Sequence, residues 1–382
     1  MARLGDICTI VSGTTPKSNC PEYWDGNINW ITPAELTDDS DTIFESQRKI
    51  TPQAVAASSL KPFPAGTVLL SSRAPIGKVA IAGVEMYCNQ GFKNLICSDA
   101  VYNRYLFHWL KNNTEYLNSL GRGATFKEIS KSIVENIEIP LPPLEEQRRI
   151  AALLDKVTDL IAKRREQLDK LDLLVKARFV EMFGTIHNNR FGFDIVTLQD
   201  VSAFIKDGTH QTPKYTEDSI NGYKFLSSKD VTTGKIDWSH LKYIPAELHR
   251  ELYARVAPQK GDILLAKNGT TGIAAIVDRD EVFDIYVSLA LIRPCGIHSS
   301  YLWAAINADE TKHQFDASLK GIGVPNLHLG EIKKAKIILP PLNLQEQFAG
   351  FLEQTDKLKL ILQQNLNSLK TLKKSLMQQY FG

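Results

Sequence analysis

The chain has 382 residues, 43% hydrophobic and 23% charged, with a formal net charge of +2. That length suits two or three domains, and the balance is that of a globular chain in water. A strongly basic balance would point directly to nucleic acid; this one neither demands nor excludes it. No stretch approaches the ~18 apolar residues of a membrane span. The start, "MARLGDICTIVSGTTPK", lacks the apolar core of a signal peptide. The five cysteines (Cys8, Cys20, Cys88, Cys97, Cys295) have no C-x-x-C spacing and no neighbouring His cluster. They read as free thiols, not as a disulfide frame or zinc site, and the expected location is the cytoplasm.

In chain order, residues 1–138 read as a mixed α+β globule. Short β-like runs such as "TVLLSS" end in Gly-rich turns, and a helical pattern, "NRYLFHWLKNNTEYLNSL" (103–120), follows. Residues 139–184 open on "IPLPPLEEQRRIAALLDK" and read as one long helix. Pro143 suits a helix start, because proline fixes φ and its missing N–H is not needed in the first turn. Apolar residues then recur by threes and fours: Ile150, Leu154, Val157, Ile161, Leu168, Leu171 and Val175. That is a heptad seam, interrupted by Arg164. Residues 185–336 read as a second globule, with "DILLAK" and the helical pattern "SSYLWAAINADETKHQFDASL" (299–319). Residues 337–382 read as a second long helix. Its seam carries Phe348, Leu352, Leu362, Leu366, Leu369 and Leu376, but also Thr355, Lys359 and Lys373. Gly184 and Gly382 close the two helices.

The two halves repeat each other. The differences 339 − 141, 345 − 147, 366 − 168 and 381 − 183 all equal 198. Leu141-Pro142-Pro143-Leu144 answers Leu339-Pro340-Pro341-Leu342, Gln147 answers Gln345, and Phe183-Gly184 answers Phe381-Gly382. The globules echo each other more faintly. "LGDICTIVSGTTPK" answers "LQDVSAFIKDGTHQTPK", and "AGTVLLSSRAPIGKVAI" (65–81) answers "KGDILLAKNGTTGIAAI" (260–276). "GRGATFKEISKSIVENIEI" (121–139) is matched with "KGIGVPNLHLGEIKKAKII" (320–338), an offset of 199. A lone helix of ~38 residues with an apolar stripe is unstable without a partner. The two copies are therefore expected to pack on each other as an antiparallel coiled coil with pseudo-two-fold symmetry, its core formed by Ile150, Leu154, Val157, Ile161, Leu168, Leu171, Leu352, Leu362, Leu366 and Leu369.

This pattern, a Gly-containing loop, "I-x-I-P-L-P-P-L-x-x-Q", then a long helix, repeated with Ile338 where the first copy has Pro140, resembles the specificity subunit of type I restriction–modification enzymes. The resemblance spans essentially the whole chain. It implies two target-recognition domains (1–138 and 185–336), each followed by a helical spacer (139–184 and 337–382). It implies a non-catalytic scaffold that reads a split double-stranded DNA target and docks two methyltransferase subunits and the restriction subunits. S-adenosylmethionine and ATP with Mg²⁺ are then expected on those partners. Copy one carries Arg148-Arg149 where copy two has Glu346-Gln347, so no charge role there is shared.

DNA contacts want cations, hydroxyls and amides on loops. The first globule offers Thr14, Thr15 and Lys17, then Ser72, Arg73 and Lys78, then Arg122, Thr125 and Lys127. The second offers Lys206, Thr209, His210, Gln211 and Lys214, then Lys267, Asn268 and Thr270, then Lys320 and Asn326. Tyr23, Trp24 and Trp30 read as core with a competing role in base stacking. No catalytic residue or metal ligand is identified. There is no G-x-x-x-x-G-K-[ST] for ATP, no methyltransferase motif and no His pairing. Glu331-Ile-Lys333 has a Glu-x-Lys form, but no Pro-Asp precedes it. The competing readings are a methyltransferase complex without restriction, a nuclease with a degenerate site, and a purely structural coiled coil.

Overall fold

The computed structural model describes residues 1–123, 127–319 and 325–382. Its contacts divide the chain into two compact units. One is Met1–Arg165 with Gln364–Gly382; the other is Glu166–Gln363. Each long helix therefore lends one half to each unit.

In the first unit, fully buried runs such as Val68–Leu70 and Val79–Ala82 make the central strands. The main sheet runs Cys8–Val11, Asn94–Cys97, Val68–Leu70, Val79–Ala82, Thr42–Ile43. A smaller sheet orders Lys49–Ile50, Trp24–Ile31 and Tyr87–Cys88, the last pair parallel. Helix Asn103–Asn112 buries six consecutive residues, Tyr105 to Leu110. The second unit repeats the plan. Its main sheet runs Ser202–Asp207, Leu289–Pro294, Ile263–Ala266, Ala274–Ile276. Its smaller sheet orders Lys242–Ile244, Tyr223–Leu226 and Phe283–Ile285, again with the last pair parallel. Each unit also closes its ends with a short antiparallel pair, Ala2–Arg3 on Glu138–Ile139 and Asp194–Thr197 on Lys336–Leu339. The faint echo in sequence is thus a shared topology. One pairing needs correction. Leu4 N–H donates to the Ile137 carbonyl and Leu198 N–H to the Ala335 carbonyl, both at 2.9 Å. Since 335 − 137 is 198, the segment before the prolines keeps the offset of the helices and not 199.

The long helices run Leu144–Phe183 and Leu342–Phe381, forty residues each. Each starts directly after the proline pair, and Gly184, at φ +75°, ends the first. The reason for the repeated Gln is visible at the start. Gln147 is 1% exposed, and its Oε1 accepts from the Tyr102 N–H at 2.8 Å. Its Nε2 donates to the carbonyls of Ala100 at 3.1 Å and Pro142 at 2.8 Å. Gln345, also 1% exposed, accepts from the His298 N–H at 2.8 Å and donates to the Pro340 carbonyl at 2.7 Å. Tyr102 and His298 are the N-cap residues of helices Asn103–Asn112 and Ser299–Asn307. The Gln thus satisfies an orphan helix-start donor and welds that helix to the proline corner. Beside it, Tyr105 Oη donates to the Pro140 carbonyl and Tyr301 Oη to the Ile338 carbonyl.

Within each unit the two long helices run in opposite directions. In the first, Ile150, Ala151 and Leu154 share a core with Met377 and Phe381. In the second, Phe179, Phe183, Phe348 and Tyr301 meet ring on ring, with Val175 and Leu352 alongside. Of the expected seam, Ile150, Leu154, Val157, Ile161, Leu352 and Leu366 are buried. Leu168, Leu171, Leu362 and Leu369 are only half-buried. Lys359 bends to Asp172 of the other helix, 2.5 Å away, and Thr355 turns its hydroxyl back to the Phe351 carbonyl.

Replacing Gln345 by Leu keeps its bulk but strands the His298 N–H and the Pro340 carbonyl. The expected loss is about 2 kcal/mol, the cost of unpaired buried polar groups. Urea unfolding checks it; a change below about 0.5 kcal/mol, the size of an ordinary surface substitution, contradicts the clamp.

Candidate nucleic-acid interface

Both units begin their candidate loops at a glycine that no other residue can replace. A Cβ at Gly13 would lie 1.7 Å from the Cys88 carbonyl oxygen, and one at Gly208 would lie 1.9 Å from that of Ile285. The first strand therefore passes flush against the small sheet before the loop leaves. In the first unit the loop is then pinned from beneath. Trp30 Nε1 donates to the Thr14 carbonyl at 3.1 Å and Trp24 Nε1 to the Lys17 carbonyl at 3.3 Å. Trp30 is 1% exposed core, and the half-buried Trp24 packs edge-on to it, so the two together shape the loop. Thr14, Thr15 and Lys17 themselves are exposed, with Thr15 Oγ1 donating to Gln90 Oε1 at 2.6 Å.

The second unit pins its loop differently. The Arg255 guanidinium donates to the carbonyls of Asp207, at 2.8 Å, and Gly208. Thr212 and Tyr286 share a hydroxyl contact at 3.3 Å. Lys206, His210, Gln211 and Lys214 are exposed, Thr209 is half-buried, and Lys242 lies 4.1 Å over the exposed Tyr215 ring.

A second layer of loops meets at one hub in each unit. In the first, buried Lys93 reaches Glu128 at 3.1 Å and Ser72 at 3.3 Å, and Arg73 lies 3.7 Å from Glu128. In the second, buried Lys267 pairs with Asp207 at 2.9 Å, and His210 lies 3.2 Å from the same carboxylate. Two of the expected DNA contacts have a structural role: Ser72 is 0% and Lys267 6% exposed, and both hold loops together from inside. A buried ammonium is retained only with such a partner. Lys78 is half-buried, with its ammonium 3.4 Å from the Pro33 carbonyl. Arg122, Lys127 and Thr270 are exposed, and Arg73, Asn268 and Asn326 half-buried. Thr125 and Lys320 lie outside the described residues.

Two polar networks escape sequence reasoning, because their members are far apart in the chain. Arg104 binds two carboxylates at once, Asp155 of the first long helix and Asp41 of the globule. His108, one turn on, meets Asp155 at 2.6 Å. Burial opposes the charge on both carboxylates, but hydrogen bonds from His108 and Arg104 to Asp155, and from Arg104 and Thr42 to Asp41, outweigh it and hold both below the usual carboxylate range. Arg165 reaches Asp39 at 2.9 Å and Lys111 the Ser40 carbonyl at 2.7 Å. Lys373 of the seam faces this cluster, its pKa lowered by burial and by Arg165. The second network is a buried pair. His249 Nδ1 meets Asp284 Oδ2 at 2.7 Å, and the imidazole stacks on Tyr223 with centroids 3.6 Å apart. Asp284 is 1% exposed, and burial pushes its carboxyl up to about 6 against the pull of His249.

Among the described residues no group of His, Cys, Asp or Glu is arranged to hold a metal ion, and no helix is long and apolar enough to cross a membrane. The profile of the type I restriction modification DNA specificity domain matches the chain twice, over residues 1–171 and 192–371. The chain is 31% identical to the type I restriction enzyme MjaIX specificity subunit of Methanocaldococcus jannaschii over 371 residues, which cover 92% of this chain and 85% of that one. The MjaVIII specificity subunit of the same organism is 27% identical over 402 residues, covering 99% of this chain and 90% of its own. Its fold is similar to that of the type I restriction–modification S subunit from M. genitalium, with a TM-score of 0.55 at 15% identity, covering 100% of this chain and 95% of that one. A chain from a structural study of type I system assembly and conformational transition gives a TM-score of 0.62 at 21% identity, covering 99% and 96%. The chain belongs to the type I restriction–modification DNA specificity family. It is a specificity subunit, the DNA-recognition component of such an enzyme and not a catalytic one.

The buried pair gives the second unit a signed pH response. Asp284 binds its proton more firmly folded than unfolded, so its contribution to stability is largest at low pH and is lost as pH rises through about 6. Hydrogen exchange of residues 246–255 and 283–285 checks this. Relative to Asp284→Asn, the native chain should lose protection between about pH 4 and 7; an unchanged difference contradicts it.

Proposed function

We propose that each unit reads one half of a bipartite double-stranded DNA target, and that the chain scaffolds two methyltransferase subunits and the restriction subunits. The observation that carries this reading is the pattern of likeness and difference between the units. The order of four main-sheet strands, the Gln corner and the glycine turn are the same in both, the first unit adding Thr42–Ile43 as a fifth strand. The loops that leave those turns share Gly-Thr and Thr-Pro-Lys (13–17 against 208–214) but differ by two residues in length, and the hub loops that meet them carry different side chains, Ser72-Arg73 against Lys267-Asn268. A framework used twice with two sets of loops fits two related tasks on two different sequences. Exposed Lys17, Arg122 and Lys127 in one unit, and Lys206 and Lys214 in the other, suit phosphate contacts that fix register without reading sequence. Loop amides and guanidinium groups suit the base edges of the major groove.

In this reading chemistry belongs to the partners. They would hold S-adenosylmethionine for methyl transfer and ATP with Mg²⁺ for restriction, in the cytoplasm where the DNA lies. This chain would supply the address.

The test is an exchange. Residues 1–139 are replaced by those of a relative with another target, the chain is co-expressed with its methyltransferase subunits, and the methylated motif is mapped. One half of a split motif should change and the other stay. A change in both halves, or a motif that is not split, overturns the reading.

A further inference from the structure

Comparing the units position by position isolates two loop residues that keep their place and change their chemistry. Main-chain hydrogen bonds fix the equivalence. Ile129 N–H donates to the Ser72 carbonyl at 3.0 Å, and Leu327 N–H donates to the Lys267 carbonyl at 2.8 Å. The residue after each acceptor is Arg73 in one unit and Asn268 in the other. The residue before each donor is Glu128 and Asn326. In the first unit the pair is ionic, with Arg73 and Glu128 3.7 Å apart. In the second, Asn268 and Asn326 pair across an isolated antiparallel bridge. Both pairs sit on the hub loops: Glu128 also takes the Lys93 contact, and Asn268 directly follows Lys267, which pairs with Asp207.

Each pair leaves polar groups unmatched among the described residues. Glu128 is already neutralised by Lys93, whose side chain is 9% exposed and lies 3.1 Å away. The longer contact from the half-exposed Arg73 is therefore surplus, and Arg73 can leave without stranding a bare carboxylate. In the second unit, the side-chain oxygens of Asn268 and Asn326 are both shut from solvent with no donor among the described residues. Buried acceptors in that state are rare and ask for an explanation, a missing ligand being one. A base edge supplies what each pair lacks. Guanine offers two acceptors, O6 and N7, to the fork of an arginine. Adenine offers the N6 donor and N7 acceptor to a carboxamide, once the amide turns outward.

We propose that Arg73 reads a guanine in the half-site of the first unit and Asn268 an adenine in that of the second, with Glu128 and Asn326 as their supports. This rests on the bipartite reading above.

The experiment maps methylation in cells co-expressing the chain with its methyltransferase subunits, comparing the native chain with Arg73→Asn, Arg73→Lys and the double change Asn268→Arg with Asn326→Glu. Arg73→Asn should relax one G·C position in one half-site, lowering discrimination there by roughly 10- to 100-fold, and leave the other half untouched. Arg73→Lys keeps the charge and loses the fork, so overall methylation should persist while the same position relaxes. The double change should move one A·T position of the other half-site toward G·C. A uniform loss with the motif unaltered would make these residues phosphate or folding contacts and overturn the assignment. So would a native motif lacking a G·C pair in the first half-site or an A·T pair in the second. An unsplit native motif overturns the bipartite reading itself; a split motif indifferent to all three variants overturns only this assignment.

Discussion

The carboxamide of Gln147, and that of Gln345 in the repeat, is the constraint on which the two units turn. A helix start leaves donors unsatisfied, and a Pro-Pro corner leaves carbonyls unsatisfied, because proline offers no N–H in return. One buried amide answers both, accepting from the N-cap residue of the globule's helix and donating to the proline carbonyl. The long helix can then leave the globule in one direction only. The tyrosine hydroxyls of Tyr105 and Tyr301 tie the preceding strand to the same point. Loop residues can vary freely because this corner, and not the loops, sets how the globule meets its helices.

The two corners are alike, but the surfaces around them are not. The second unit fills the junction with Phe179, Phe183, Phe348 and Tyr301, a dry aromatic contact. The first keeps an apolar contact of Tyr105, Ile150, Met377 and Phe381 and adds beside it Arg104, His108, Asp155, Asp41 and Lys373. An apolar contact is insensitive to salt, whereas half-exposed ion pairs weaken with it and with acid. The weaker seam of the second helix is explained at both cations: Lys359 finds Asp172, and Lys373 faces a cluster of aspartates from the globule and the first helix.

The fold was largely legible in the sequence because it is written twice. A gapless offset of 198 over the Pro-Pro-Leu-x-x-Gln motif and both helices exposed the duplication, and 3.6-residue periodicity exposed the helices. What stayed hidden depends on contacts between distant residues. Ser72 and Lys267 look like loop donors, yet each is the buried centre of a hub, because a strand end in sequence does not show which way its last side chain points. The roles of Trp24 and Trp30 as loop anchors, and of Arg104 as a double bridge, carry no local signal. Leu160, Leu174, Leu358 and Leu372 match across the repeat but are exposed, since matching positions share a face and not necessarily the buried one.

Under the proposed function, one framework presents two different loop sets to DNA at once. Hydrogen–deuterium exchange of the assembled complex, with and without a duplex carrying its methylated motif, tests this most directly. Protection should rise in both units together, over residues 14–17 and 122–128 and over 206–216 and 268–270, while the amides of Tyr102 and His298 at the Gln corners stay unchanged. Protection confined to one unit, or to the long helices alone, would contradict it.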